Sequence, residues 1–90
     1  MQFIFISYQN HMNNSEFNHF LGKARDAKIG GHSAWCVQST GEKVAVALAL
    51  NRADWLQEVG YTIPEAIDRA GELWVKLIPK IAQTLEDENA

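Results

Sequence analysis

The sequence predicts a mainly α fold of three to four helices with one short β-strand at the N-terminus, and three features carry that prediction. Apolar residues recur at steps of three and four from Phe17 onward, the period of a helix with one buried face. Asn13/Glu16, Ser39/Glu42 and Thr62/Glu65 each have the spacing of a capping box, which opens a helix by pairing otherwise orphaned backbone donors. Only Phe3, Ile4, Phe5, Ile6 and Tyr8 form the aromatic and β-branched run that favours a strand.

Taken in order, the strand ends in the polar run Gln9 to Asn14, and a helix follows from about residue 14 to 29. Its apolar positions are Phe17, Phe20, Leu21, Ala24 and Ala27. Lys23, Arg25 and Lys28 gather toward its C-terminal end, where cations suit the helix dipole, and Gly30 and Gly31 close it. The segment from His32 to Leu50 admits two readings. Trp35 and Val37 suit a strand, and a turn over residues 39–42 would return the chain along residues 43–50. That gives the alternative α+β fold, with a small antiparallel sheet from residues 2–8, 33–39 and 43–50. The capping box at Ser39/Glu42 and the helix formers Ala45, Ala47, Leu48, Ala49 and Leu50 favour a helix instead. On either reading the stretch is apolar all round and runs through the centre of the fold.

Asn51 and Asp54 are candidate caps for a short helix carrying Trp55, Leu56 and Val59, ended by Gly60. Thr62, Pro64 and Glu65 then give the clearest start signal in the chain. The helix they open has an inward stripe of Ile63, Ala66, Ile67, Ala70, Leu73, Trp74, Leu77, Ile78, Ile81 and Leu85. Glu65–Arg69 and Glu72–Lys76 make outer ion pairs. Pro79 is expected to kink or restart this helix, and the acidic tail from Glu86 to fray.

Ninety residues allow one hydrophobic core, so residues 1–90 read as a single domain. With 47% hydrophobic and 21% charged residues the chain can bury enough apolar surface to fold alone. A net charge of −3 gives no electrostatic reason for general nucleic-acid or anionic-membrane binding. The single cysteine, Cys36, excludes an intramolecular disulfide. Met1 to Ile6 lacks the flanks of a signal peptide, and no apolar run approaches the roughly 20 residues of a membrane span, so the expected location is the cytoplasm.

No catalytic, cofactor or metal constellation emerges. His32 and Cys36 stand four apart, the spacing that puts an imidazole and a thiol on one helix face, but two ligands do not make a site, and His11 and His19 add no zinc pattern. Gly30 and Gly31 lack the Lys and Ser/Thr of a phosphate loop. Glu58, Glu65, Asp68 and Glu72 offer no acid/base pair, three of them falling on the solvated face of the last helix. Lys23, Arg25, Lys28 and Arg52 would support nucleic-acid binding only if they met on one face. The lone strand is the most informative element, because its backbone groups must pair somewhere. That predicts a homodimer or a protein partner, contacted through Phe3, Phe5, Tyr8, Arg52 and Trp55. The rival is a small-molecule or enzymatic pocket formed by His32, Trp35, Cys36 and Trp74, with Trp55 and Arg52 nearby.

The runs Gly30-Gly31-His32-Ser33-Ala34-Trp35, Leu50-Asn51-Arg52-Ala53-Asp54-Trp55-Leu56 and Gly60-Tyr61-Thr62-Ile63-Pro64-Glu65-Ala66-Ile67-Asp68-Arg69 resemble small uncharacterised proteins carried on bacterial mobile elements, including gene-cassette products. The resemblance covers residues from about 17 to 85. It implies no activity and no functional residues, only a setting: a cargo or accessory protein and not a metabolic housekeeping enzyme. With no catalytic constellation in the chain, the expected function is that of a non-enzymatic accessory or interaction protein, one concrete form of which, by the same resemblance, is an inhibitor of a host or phage defence system.

Overall fold

The computed structural model describes the backbone of residues 2–89 and the side chains of residues 15–89. Six helices follow one another: α1 (Gln2–Gly30), α2 (His32–Trp35), α3 (Thr40–Ala49), α4 (Ala53–Glu58), α5 (Ile63–Ala70) and α6 (Glu72–Asn89). The mainly α prediction holds, and among the described residues there is no strand.

The N-terminal strand is therefore corrected to helix, with residues 2–8 forming the start of α1. Its proposed partners explain why. Residues 33–39 contain α2 and a turn, and residues 43–50 lie on α3 and its cap, so the α+β alternative also falls. With no strand edge among the described residues of its own chain to pair with, helix is the conformation that satisfies the segment's backbone groups locally. Asn13 consequently lies inside α1 and opens nothing, and Glu16 accepts a hydrogen bond from Trp74 Nε1 at 2.8 Å.

α3 is the centre of the molecule. Ser39 Oγ accepts from the Glu42 backbone N–H while Glu42 accepts from the Ser39 N–H, so the predicted capping box forms. Val44, Ala45, Val46 and Ala47 are wholly buried, and α3 packs against α1, α4, α5 and α6. Asn51 does not cap α4 as expected. It takes a left-handed φ of 57° just past the C-cap Leu50, a conformation asparagine tolerates, and the N-cap of α4 is Arg52, which makes no side-chain capping bond.

The long final helix is two. α5 has the predicted capping box of Thr62 and Glu65 with Pro64 in its first turn, but Gly71, at φ 89° and ψ 156°, turns the chain before α6. The apolar spacing runs straight through this point, which is why periodicity alone joined the two helices. α6 passes Pro79 as one element and runs on to Asn89, so the acidic tail is helical where fraying was expected. Glu88 there accepts hydrogen bonds from two guanidinium nitrogens of Arg25, Nε at 3.1 Å and Nη2. α6 lies parallel to the second half of α1, tied by Trp74 to Glu16 at one end and by Lys28 Nζ to the Leu85 carbonyl, 3.0 Å, at the other.

Buried residues form one cluster, including Phe20, Trp35, Val44, Val46, Ala66 and Ile81. Part of the predicted inward stripe stays outside it. Ile63, Ile67 and Leu73 are 57%, 44% and 46% exposed. α5 packs on α3, and the residue it buries fully is Ala66. A small side chain lets two helix backbones approach closely, and the apolar arc of α5 is wider than the contact it makes. The Glu72–Lys76 pair forms at 3.7 Å, whereas Glu65 is spent on the Thr62 backbone N–H at 2.9 Å.

Candidate functional site

The surface of α5 has the features of a contact site. Ile63 and Ile67 stand one turn apart and form an exposed apolar ridge. Ile63 continues into a small hollow of about 50 Å3 lined by Leu48, Arg52, Ala53 and Leu56. Round the helix from the ridge, Gly60, Tyr61, Pro64, Glu65, Asp68 and Arg69 line an open trough of about 620 Å3. The Thr62 backbone and side chain, both bonded to Glu65, hold its carboxyl below the usual carboxylate range, so it is ionised at neutral pH. Arg69 reaches toward α3, where a β-carbon added at Gly41 would meet its guanidinium at 3.6 Å.

Beyond Arg69 a second hollow, about 260 Å3, is lined by His19, Ser39, Gly41, Glu42, Arg69, Ala70 and Trp74. His19 Nε2 sits 2.9 Å from Glu42 and Lys23 Nζ 3.9 Å from it. Partial burial pushes the Glu42 carboxyl up, but the His19 hydrogen bond, the Ser39 N–H and the Lys23 charge together outweigh it and set the net shift downward.

The predicted pocket residues divide between two groups. Trp35 and Trp55 stack at 4.6 Å with planes 20° apart, both buried, and Trp35 Nε1 donates to the Lys43 carbonyl at 2.9 Å. His32 lies against both rings and its Nε2 is 2.8 Å from Glu58. Cys36 is exposed, its thiol 3.5 Å from the Ser33 carbonyl. Trp74 belongs elsewhere, stacked on Phe20 at 4.4 Å.

Of the predicted interaction residues, Arg52 and Trp55 are in contact. Trp55 is buried, with the Arg52 guanidinium 4.1 Å from its ring centre and closed onto Asp54 by two hydrogen bonds of 3.0 and 2.8 Å. The side chains of Phe3, Phe5 and Tyr8, like that of His11, lie outside the described residues.

Each of the four cations considered for nucleic acid has its own acceptor: Glu42 for Lys23, Glu88 for Arg25, the Leu85 carbonyl for Lys28 and Asp54 for Arg52. Among the described residues no three His, Cys, Asp or Glu side chains gather closely enough to hold a metal ion. No helix there is long and apolar enough to cross a membrane.

Sequence reasoning missed the α5 ridge because it assigned Ile63 and Ile67 to the core. One signal was present: the stripe pairs them with Ala66 and Ala70, too small to hold two large neighbours away from solvent. Comparison with protein-family models, curated proteins and solved structures gives no match.

Proposed function

We propose that this chain is a small non-enzymatic interaction protein that contacts a protein partner through the exposed face of α5. The observation that carries the reading is the Ile63–Ile67 ridge, a pair of large aliphatic side chains left in water beside a filled core. Its resemblance to mobile-element cargo proteins supports an accessory role, of which inhibition of a bacterial defence system is one form. The surface expected from the sequence, an N-terminal strand together with Arg52 and Trp55, gives way to α5, since that segment is helical and Trp35 and Trp55 spend their faces on each other. The same stacking weakens support for a tryptophan-walled ligand pocket.

The test is cross-linked capture from a bacterial lysate with the wild-type chain and the double variant Ile63→Gln/Ile67→Gln. A protein retained by the first and lost by the second is the expected result. Identical captures, or none, overturn the reading.

A further inference from the structure

Charge around the α5 ridge narrows the chemistry of what can cover it. Going round the helix from Ile63 and Ile67, the next positions are Pro64, then Asp68, then Glu65, with the buried Ala66 on the opposite flank. Pro64, Glu65 and Asp68 also line the 620 Å3 trough, together with Tyr61 and Arg69. The trough therefore carries two carboxylates against one guanidinium. Neither carboxylate is among the ion-paired groups of the described residues, which engage Glu42, Glu58, Asp54, Glu72 and Glu88 instead. Glu65 spends one oxygen on the Thr62 N–H and remains exposed. On the far side of the ridge the only charges lining the small hollow belong to Arg52, whose guanidinium is already closed onto Asp54 and adds no net charge.

An apolar ridge with acid along one flank and a neutralised pair along the other selects its partner by polarity. We infer that the α5 face takes an amphipathic helix bearing apolar residues at i and i+4 over Ile63, Pro64 and Ile67, with a lysine or arginine beside them that enters the trough between Asp68 and Glu65. Its aliphatic stem crosses Pro64 and Tyr61 while its head meets the carboxylates, the way long basic side chains cover apolar surface and keep their charge in water. The run from Gly60 to Arg69 thus supplies a complete docking element: trough, cap, ridge and acid flank. This inference rests on the reading of α5 as a contact face and adds the class of partner.

The probe is a 14-residue helical peptide with leucines at i and i+4 flanked by lysines, alongside its twin with glutamates in place of the lysines. Amide spectra of the labelled full chain report where each binds, and fluorescence anisotropy at low and high salt reports how tightly. The expected result is movement of signals from residues 60–69 with the lysine peptide, binding several-fold weaker with the glutamate twin, and a loss of affinity as salt rises. Glu65→Gln/Asp68→Asn should weaken the lysine peptide about five-fold, the scale of two exposed ion pairs, and glutamine at 65 still accepts the Thr62 N–H. Equal binding of both peptides removes the charge argument and leaves the apolar face standing. No movement at 60–69 with the lysine peptide overturns the inference, whatever the lysate captures. So do concentration-dependent shifts at the same residues in the protein alone, which would put a second copy on the ridge.

Discussion

α3 and α5 begin in the same way and are used in opposite ways. Each opens on a hydroxyl N-cap whose partner glutamate sits three residues on, with both reciprocal hydrogen bonds formed. Yet α3 buries Val44, Ala45, Val46 and Ala47 completely, while α5 buries Ala66 and leaves two isoleucines in solvent. A capping box sets where a helix starts and carries no information about how many of its sides are covered. That is decided by neighbours: α3 is surrounded by four helices, and α5 lies on the outside against α3 and α6.

Four substitutions, in descending order of effect, can break this contrast. Val46→Ala removes two buried methyl groups from a position with no exposed surface and should cost about 2 kcal/mol, read as a lower urea midpoint. Ser39→Ala and Thr62→Ala should each cost about 1 kcal/mol, and equal losses would show that the caps act locally whatever the burial behind them. Both capping glutamates are depressed in the fold, so the stability they supply is complete above the ordinary glutamate value of 4.5 and is lost as pH falls through the depressed one. An acid titration of the urea midpoint should therefore fall in that window, and a flat profile would contradict the bonds described. Ile67→Gln should shift stability by less than about 0.5 kcal/mol, because it replaces a half-exposed side chain with another good helix former. A loss as large as that of Val46→Ala would mean that Ile67 belongs to the core after all.

The helical class, the two working capping boxes, the closing glycines at 30 and 31 and the central place of residues 44–49 were legible from residue types alone. They rest on local chemistry, a cap or an all-apolar run, that the sequence writes within a few positions. What failed to read depended on distant contacts. The aromatic run after Met1 looks like a strand until its candidate partners within the chain prove to be helix and turn. Gly71 sits inside an unbroken apolar rhythm, so only its positive φ separates α5 from α6. The tail became helical to Asn89 where Arg25, 63 residues away, reaches Glu88. The contact face was hidden for the same reason, since whether an isoleucine is covered depends on how closely an alanine beside it lets the next helix approach.

The stacked indoles of Trp35 and Trp55 join α2 to α4, two of the shortest helices, across 19 residues of intervening chain that includes all of α3. Two indole rings held this close, in nearly parallel planes and without solvent between them, have transition dipoles that couple electronically. The protein thus carries its own optical marker: an exciton couplet in far-ultraviolet circular dichroism that tracks the docking of α2 on α4 separately from the helix signal, and that disappears when the two rings part even if every helix remains.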